Sequence, residues 1–174
     1  MNLGFLTESL LAKKQIEKLN SSHVLNEFDC GVPDLNQFLV KYALQNQSAN
    51  SANTYVACEN GQVIGFYTLV VGSVVHAHAP KRITKGLARH PVPVMILARL
   101  AVDKTQHGQG IGRGLLKDVL LRTAHAADIA GMRALLVHSK DEQARQWYQQ
   151  FNFDESPTDP LHLYLLLKDV KKIL

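Results

Sequence analysis

Residues 95–121 have the sequence MILARLAVDKTQHGQGIGRGLLKDVLL, in which three patterns follow one another. The first is an apolar run from Met95 to Val102, interrupted only by Arg99, and it predicts a largely buried strand. A short polar turn, Asp103 to His107, comes next. An amphipathic helix then follows, whose apolar side is formed by Ile111, Leu115, Leu116, Val119 and Leu120.

Glycines stand between the predicted strand and the helix, at Gly108, Gly110 and Gly112. Glycine lets the backbone approach a phosphate where a Cβ would obstruct it, and the first turn of a helix aims backbone N–H groups at an anion. Arg113 in that first turn opposes the helix dipole, a conflict that a bound phosphate would relieve. The pattern predicts an anion site. The alternative is a glycine-rich turn that merely leads into an ordinary helix.

Two common glycine motifs do not fit this stretch. The dinucleotide fingerprint requires G-x-G-x-x-G, whereas Gly108 to Gly114 has the spacing G-x-G-x-G-x-G. The P-loop requires Gly-Lys-Ser/Thr after its second glycine, which is absent here. Neither a dinucleotide nor a nucleoside triphosphate is therefore the expected ligand.

Composition limits the remaining possibilities. A chain of 174 residues predicts a single domain, 1–174, with a core large enough to need no disulfide. The two cysteines, Cys30 and Cys58, have no metal-binding spacing and predict small buried side chains in a reducing compartment. No apolar run is long enough to span a membrane, and the N-terminus lacks a signal-peptide pattern, so we expect a soluble, cytoplasmic protein without a metal.

Positive charge is concentrated in one region. The net charge is +4, and between Gly61 and Val102 there are bases but no acids. Most of these bases fall in a predicted loop, Ala79 to Pro93. Such a loop is commonly only solvated, but it also favours an anionic partner. The bases are Lys81, Arg82, Lys85, Arg89 and Arg99.

The rest of the chain predicts an alternation of helices and strands. Asn60-Gly61 indicates the turn of a hairpin, because this dipeptide suits the positive φ angles of a two-residue turn. The order of elements predicts an α/β fold around a mostly antiparallel sheet, with one parallel step across the central helix. The predicted helices are Thr7–Leu19, one beginning at Pro33-Asp34, and Asp141–Gln150; the other predicted strands are Thr54–Cys58, Gln62–Val71, Val74–His78, Ala134–His138 and His162–Leu167; Gln45–Asn53 is predicted as a mobile loop.

The segment from His107 to Gly112 resembles the acetyl-CoA diphosphate loop of GNAT acetyltransferases, Arg/Gln-x-x-Gly-x-Gly/Ala, with His107 in place of the usual Arg or Gln. The resemblance implies the GNAT fold: a central, mixed but mostly antiparallel sheet of six or seven strands flanked by about four helices. It also implies acetyl-CoA as co-substrate. GNAT enzymes carry a tyrosine near the coenzyme sulfur just before a Gly-Phe pair, and Tyr148 before Asn152-Phe153 is similar to it.

Further blocks resemble a narrower group, the GNAT toxins of bacterial toxin–antitoxin pairs. Membership implies acetylation of the α-amine of aminoacyl-tRNA, which stops translation. It also implies a ribbon-helix-helix antitoxin, binding of the pair to operator DNA as a repressor, and a homodimer. The blocks are Phe28–Gly31, Leu35–Leu39, Tyr55–Ala57, Val63–Leu69 and Leu100–Asp103.

The resemblance implies a role for each candidate residue. The backbone of Leu100, Ala101 and Val102 would contact the pantetheine arm, and Tyr148 would protonate or hydrogen-bond the leaving thiolate. The five bases named above would contact tRNA phosphates. The diphosphate would be held by His107, Gly108, Gln109, Gly110, Ile111, Gly112 and Arg113.

Several alternatives stay open at this level. The same fold could acetylate a small amine or a protein N-terminus, because only the acceptor surface would differ. It could also be a binding module without activity. His138, at the end of a predicted strand, is either a polar contact in the site or a hydrogen-bonded residue at a sheet edge. His76 and His78 alternate on a predicted strand but are too few for a metal site.

Overall fold

The computed structural model describes residues 15–174, which contain one mixed sheet of seven strands. Its strand order is β1-β2-β3-β4-β5-β7-β6. Strand β4 pairs with β5 in parallel, whereas β1 with β2, β2 with β3, β5 with β7 and β6 with β7 pair antiparallel, so the predicted mostly antiparallel sheet is confirmed. The strands are β1 (Ile16–Lys18), β2 (Asn53–Glu59), β3 (Gln62–Val74), β4 (Val92–Val102), β5 (Ala134–His138), β6 (Asp154–Glu155) and β7 (His162–Leu166).

The helices of residues 15–174 are mostly short. A π-helical turn, Phe38–Tyr42, joins the helices Pro33–Gln37 and Ala43–Ser48 into one continuous helical stretch. Counted in this way, residues 15–174 contain five separate helices, where about four were predicted. None of them is long and apolar enough to cross a membrane. The helices are α1 (Pro33–Gln37), α2 (Ala43–Ser48), α3 (Lys81–Thr84), α4 (Ile111–Ile129), α5 (Glu142–Gln149) and α6 (Leu167–Ile173).

The chain divides into two compact units. The first, called the glycine-loop unit, comprises residues 15–70 and Ala98–Val119 of the described chain. The second, called the tyrosine unit, comprises Val71–Leu97 and Leu120–Leu174. Each unit has its own buried cluster of apolar side chains.

Aromatic side chains form the centre of the glycine-loop unit. Phe66 of β3 is fully buried, with Phe28 edge-on to its ring at 5.5 Å and Phe38 stacked on it at 6.3 Å. Offset and edge-on ring contacts of this kind are favourable beyond the area they bury. Phe28 therefore holds the segment before α1 against β3, and Phe38 does the same for the helical stretch that begins with α1.

Branched side chains and one tyrosine form the core of the tyrosine unit. Ile83 of α3 packs with Val94 of β4, Leu136 of β5 and Tyr164 of β7, all nearly inaccessible to solvent. Strand β5 is buried along Ala134–Val137, as expected for a central strand between two neighbours. This core supports the segment that leads from β5 into α5.

The predicted hairpin is confirmed. Strands β2 and β3 pair antiparallel, with Glu59 opposite Gln62, and the turn residues have φ angles of 52° at Asn60 and 81° at Gly61. Two positive φ angles are what the two-residue hairpin turn requires, and Asn-Gly adopts them at little cost.

Four local predictions were wrong. The helix over Thr7–Leu19 is a strand at Ile16–Lys18, because these residues pair with Tyr55–Ala57 of β2; its part before residue 15 lies outside the described residues. The loop over Gln45–Asn53 begins as helix, since α2 continues to Ser48.

The other two errors lie in the segment after β3. His76–His78 is a 3-10 turn and not a strand, so the two histidines do not share a strand face. The loop over Ala79–Pro93 contains helix α3, whose Ile83 is buried in the tyrosine-unit core. A single buried apolar side chain anchors a helix that is too short for its periodicity to be visible.

Candidate active site

The glycine loop has the backbone geometry that the sequence predicts. Gly108 and Gly110 have φ angles of 77° and 80°, and no heavy atom lies within 4 Å of the position a Cβ would take at either residue. Helix α4 begins immediately afterwards at Ile111, and the N–H of Gly114 donates to the carbonyl of Gly110 at 3.0 Å. The loop therefore combines backbone angles that favour glycine, open space and a helix N-terminus, which together suit a diphosphate.

A buried carboxylate holds the turn that precedes this loop. Asp103 accepts the Thr105 N–H at 2.9 Å, the Thr105 hydroxyl at 2.6 Å and the Asp29 N–H at 3.0 Å. Its own N–H donates to the Ile64 carbonyl of β3 at 2.8 Å. Burial disfavours the charge of Asp103, but the hydrogen bonds from Asp29 and Thr105 outweigh it and place its pKa below the ordinary value.

Asp29 connects the N-terminal segment to the same turn. Its carboxylate pairs with Lys104 at 2.5 Å and accepts the Gly31 N–H and the Asn36 amide, each at 2.9 Å. These three bonds, the Lys104 bond first, hold the pKa of Asp29 well below its usual range. The Lys104 N–H donates to the Asp29 carbonyl at 2.8 Å. Asp29 and Asp103 both fall within the blocks that resemble toxins, but no sequence pattern predicts the bond between them.

Strand β3 positions helix α4 through close packing and a hydrogen bond. A Cβ on Gly65 would lie 3.0 Å from the Leu115 side chain and 3.3 Å from the Ala101 carbonyl, which is closer than most Cβ contacts, so glycine favours this approach. Two residues later, the Tyr67 hydroxyl donates to Asp118 at 2.5 Å. The start of α4, and with it the glycine loop, is thus positioned by the sheet.

His107 acts within the loop. Its Nε2 lies 2.8 Å from the carbonyl oxygen of Val102, which can only accept, so Nε2 is the donor. The imidazole therefore closes the turn between β4 and the glycine loop. Gln109 and Arg113 are exposed beside it, and Ile111 is buried under the first turn of α4.

Arg99 differs from the other predicted bases. It lies in the glycine-loop unit, half-buried, with its guanidinium 3.6 Å from the centre of the Phe38 ring. Burial lowers the pKa of Arg99. The contact is a cation–π interaction that attaches β4 to the helical stretch 33–48. Leu100 and Val102, its neighbours on β4, are partly exposed.

Tyr148 lies in the tyrosine unit and is buried, with 7% of its surface exposed. Its ring meets Trp147 edge-on at 4.9 Å and Phe153 edge-on at 5.6 Å. Burial raises the pKa of the phenol well above its ordinary value, so the hydroxyl is protonated at neutral pH and can serve as a donor.

Local caps define the helix that carries Tyr148. Asp141 accepts the Ala144 N–H at 2.8 Å at the start of α5, and this bond is the leading cause that lowers the pKa of Asp141. Asn152 has a φ of 65° after its end, which confirms that an asparagine in the left-handed region closes this helix. Arg145 pairs with Glu142 within α5 and with Glu155 of β6.

Arg82 is committed to ion pairs inside the tyrosine unit. Its two terminal nitrogens donate to Asp154 at 2.9 Å and to Asp169 at 2.6 Å, and the Asp169 bond is the leading cause that raises its pKa. The fork connects α3 to β6 and α6. These two ion pairs disfavour the predicted contact of Arg82 with tRNA, which stays a prediction. Lys81, Lys85 and Arg89 are exposed on the same segment.

Arg133 was not singled out in the sequence. Its Nε donates to the Ile83 carbonyl at 2.7 Å and its NH2 group to the Lys85 carbonyl at 3.0 Å. These bonds close the end of α3, so Arg133 shapes the basic segment through its backbone. No sequence signal marks it, because its partners are backbone carbonyls about fifty residues away.

Residues 15–174 contain one group of three metal-type ligands, Glu17, His23 and Cys58, whose ligand atoms lie within 4.8 Å of one another. His23 Nδ1 accepts the Asn20 N–H at 3.0 Å, so the proton of the neutral ring is on Nε2, which donates to Glu17 at 2.8 Å. A metal-bound Nε2 requires the opposite tautomer. These residues do not fit a metal as they are arranged; Glu17 and His23 form a hydrogen-bonded pair next to Cys58.

Two histidines stack at the end of strand β5. His138 faces His162 of β7 across the sheet, with ring centres 4.1 Å apart and planes 18° from parallel. His162 in turn lies 3.4 Å from Asp159. Burial, followed by the neighbouring His162, lowers the pKa of His138. The residue lies on an interior strand of the sheet, between β4 and β7, and not at a sheet edge.

Comparison with known families identifies the architecture. The sequence pattern described as "Acetyltransferase (GNAT) domain" matches residues 50–155. The chain belongs to the GNAT acetyltransferases. The match includes the glycine loop and Tyr148, and it confirms the family that the loop resembled.

One curated relative narrows the resemblance. The chain is 43% identical over 157 residues to the "tRNA-acetylating toxin" of Mycobacterium tuberculosis (strain ATCC 25618 / H37Rv), covering 90% of this chain and 94% of that protein. It is also 28% identical to the "Probable toxin TacT" of Sinorhizobium fredii (strain NBRC 101917 / NGR234), covering 94% and 96% of the two chains. The predicted resemblance of this GNAT chain to toxins is confirmed.

Solved structures of the toxin AtaT are similar in fold. AtaT complexed with acetyl-methionyl-tRNAfMet has a TM-score of 0.86 and 27% identity, covering 92% of this chain and 98% of that chain. A mutant AtaT toxin bound to the C-terminus of the antitoxin AtaR and to acetyl-CoA has a TM-score of 0.80 and 25% identity, with the same coverage. An AtaT–AtaR complex bound to DNA has a TM-score of 0.74 and 25% identity, covering 91% and 98%.

Proposed function

We propose that residues 1–174 act as one GNAT domain that transfers the acetyl group of acetyl-CoA to the α-amine of aminoacyl-tRNA, and that this activity makes the protein a toxin. The observation that carries the proposal is the 43% identity to a tRNA-acetylating toxin over nine-tenths of the chain. The geometry of the glycine loop supports the coenzyme part independently, because it does not depend on any relative.

The coenzyme diphosphate is held mainly by backbone groups from Gly108 to Arg113. Two open positive-φ glycines and the N-terminus of α4 support this role. His107 contributes by closing the turn onto Val102 and not by donating Nε2 to a phosphate. The pantetheine arm runs along the backbone of Leu100, Ala101 and Val102, which lie beyond Leu97, the last β4 residue paired with β5.

Tyr148 stabilises the leaving thiolate. A thiol has an ordinary pKa of about 8.5, whereas burial raises the pKa of Tyr148 above that of an ordinary phenol. Complete proton transfer from phenol to thiolate is therefore unfavourable, and a donated hydrogen bond is the main contribution. Such a donor needs a hydroxyl that stays protonated and surroundings that exclude water. The burial of Tyr148 provides both.

The acceptor is an amine that is already partly neutral. An α-amino group has an ordinary pKa of about 8, and the adjacent ester of aminoacyl-tRNA lowers it further. A useful fraction is uncharged at neutral pH and can attack the thioester directly. Binding the tRNA and orienting this amine are therefore enough to supply the nucleophile.

Exposed bases supply the attraction for tRNA. Lys81, Lys85 and Arg89 extend from the segment around α3 and form no ion pair with a carboxylate of residues 15–174. Arg99 stays a candidate for a contact with a tRNA phosphate, as a half-buried cation that the Phe38 ring holds in place. Arg82 is left out because two carboxylates already engage it.

The proposed partners follow from the same relationship. A ribbon-helix-helix antitoxin would bind and neutralise the enzyme, and the pair would bind operator DNA as a repressor. Complexes of the similar toxin AtaT with its antitoxin and with DNA support this proposal. We further propose a homodimer, acting in the cytoplasm where charged tRNA is used.

The decisive experiment offers several acceptors at once. Purified protein is incubated with labelled acetyl-CoA and total charged tRNA, with a polyamine and a peptide as competing acceptors. Label in the tRNA fraction that is lost on hydrolysis of the aminoacyl ester is the expected result. Label in the polyamine or peptide alone would replace the proposal by a small-amine or N-terminal acetyltransferase.

A further inference from the structure

The proposed reaction must dispose of a proton. When a neutral amine attacks the acetyl carbonyl, the nitrogen becomes positively charged and must lose an N–H proton as the amide forms. The carboxylates nearest Tyr148 in sequence, on either side of it, are occupied. Asp141 caps α5, Glu142 and Glu155 bond Arg145, and Asp154 bonds Arg82. Tyr148 itself is a donor at neutral pH. A different group must accept the proton.

His138 is placed for this role by the connection that carries Tyr148. Strand β5 pairs with β4 up to Val137, and His138 is the next residue, at the point where that parallel ladder stops. Three residues then lead into α5, and Ser139 fixes them by donating its N–H and its hydroxyl to the Leu161 carbonyl, at 2.8 and 2.5 Å. Strand end and helix are thus joined by a short, hydrogen-bonded turn.

The surroundings of His138 keep the ring in one orientation and uncharged. The ring stacks on His162 at 4.1 Å, and the residue remains accessible to solvent. The charged and titratable groups that act on it are His162 of β7 and Asp159 of the preceding turn. Burial and His162 lower its pKa and Asp159 opposes them, so the neutral form is present at pH 7.

We infer that His138 is a catalytic residue, the base that removes an N–H proton from the attacking α-amine; the inference rests on the proposed function. As the C–N bond forms, one N–H proton moves to the imidazole. The C–S bond then breaks, and the thiolate leaves with the electron pair, hydrogen-bonded by Tyr148. The imidazolium finally releases its proton, through water, to the thiolate. Amine and thioester thus become amide and thiol with no change in net charge.

The test compares wild type and His138→Gln over pH 5 to 8. The acceptor is charged tRNA, and kcat/KM is measured from the transfer of labelled acetyl. At pH 7.5 the variant is expected to be about 100-fold slower. As the pH falls through the pKa of His138, the wild-type base becomes protonated and the ratio of the wild-type rate to the variant rate falls. A structural role would reduce the rate by the same factor at every pH.

Two further variants complete the test. His125→Gln alters an exposed histidine of α4 in the same unit and controls for the loss of an imidazole. His162→Phe keeps a ring against His138 but removes the neighbour that lowers its pKa. The fall of kcat/KM at low pH that depends on His138 should therefore occur at higher pH in His162→Phe than in wild type.

The outcomes separate the inference from the proposed function. A ratio of wild type to His138→Gln that is constant with pH, or close to one, overturns the role of His138 while tRNA acetylation stands. Wild type that acetylates only the polyamine overturns the proposed acceptor, and the same pH series with that amine then tests His138. Wild type inactive on every acceptor overturns both. Acetyl-CoA binding by calorimetry verifies that each variant is folded.

Discussion

The two units of the molecule present their functional groups in different ways. In the glycine-loop unit the residues from Gly108 to Arg113 offer backbone N–H groups, and side chains such as Asp103 act by holding the backbone in place. In the tyrosine unit the groups proposed to react are two side chains, Tyr148 and His138, carried on either side of one turn. A backbone site depends on φ angles and open space, whereas a side-chain site depends on individual atoms. Conservative side-chain substitutions should therefore reduce activity strongly in the tyrosine unit. In the glycine-loop unit, changes to the backbone conformation or to the open space should matter more.

The largest effect is expected from removing one oxygen atom in the tyrosine unit. Tyr148→Phe keeps the ring contacts with Trp147 and Phe153 but removes the donor for the thiolate. We expect kcat to fall by about 10² to 10⁴-fold while acetyl-CoA affinity is retained. Steady-state kinetics and calorimetry measure the two quantities. Tyr164→Phe, at another buried tyrosine of the same unit, is the matched control. An equally active Tyr148→Phe enzyme would rule out the proposed hydrogen bond.

A second experiment attacks the backbone site directly. Gly110→Asp puts a carboxylate where the diphosphate is proposed to lie, and we expect acetyl-CoA to bind about 100-fold more weakly because like charges at a few ångströms repel by several kcal/mol. Gly110→Asn is the control, since both side chains share the cost of a φ near 80° and only one is charged. Calorimetry that gives the same dissociation constant for the two variants would exclude this loop as the phosphate site.

A pH-dependent difference in stability is the third expectation. Asp103→Asn weakens three hydrogen bonds from Asp29 and Thr105 and should lower the free energy of unfolding at pH 7 by about 1–3 kcal/mol. Because the pKa of Asp103 is depressed by folding, this stabilisation is full above about pH 4 and is lost as the pH falls through the folded-state value. Urea denaturation at pH 7 and pH 3 measures it.

The control for Asp103 is a carboxylate of the tyrosine unit. Asp128→Asn removes an exposed ion pair with Lys171, and we expect no measurable loss of stability. If Asp128→Asn were as damaging as Asp103→Asn, the contrast between a buried, multiply bonded carboxylate and a surface one would not hold.

The smallest effect concerns the bases of the tyrosine unit. Reversing Lys81, Lys85 and Arg89 to Glu should weaken tRNA binding about tenfold and reduce the slope of log affinity against log salt by about 0.9 for each phosphate that is no longer neutralised. Arg82→Gln should leave that slope unchanged, because its cation is already paired with Asp154 and Asp169. Filter binding at several salt concentrations measures this slope for each variant. A larger change in slope for Arg82→Gln than for the triple variant would reverse their assignment.

The accuracy of the sequence predictions followed the length and regularity of each pattern. The buried strand before the glycine loop, the Asn60-Gly61 turn and helix α4 were predicted correctly, because each has a strong local signal. Short elements were missed where one long-range interaction decides the structure. Strand β1 is held by pairing with β2, and α3 by the burial of Ile83.

The residue roles divide in the same way. Tyr148 and the glycine loop could be named from a local pattern, and the loop has positive φ angles at Gly108 and Gly110 that suit a diphosphate. Nothing in the sequence separates Arg82 from Lys81, its neighbour. Both are exposed, yet Arg82 is paired with two carboxylates and Lys81 with none among residues 15–174. The stacking of His138 on His162 is equally invisible, since it depends on the register of β5 and β7.

The order of amino acids was enough to indicate where the chain takes backbone angles that favour glycine, where a helix starts after a strand, and which family the chain joins. Those properties depend on a few adjacent residues and their φ preferences. The assembled fold was needed to establish which carboxylates meet which cations, why Asp29 matters to a turn 74 residues away, and which histidine has a neighbour that disfavours its charge. Such interactions arise between groups distant in sequence, and their partners are fixed only when strand register and packing are complete.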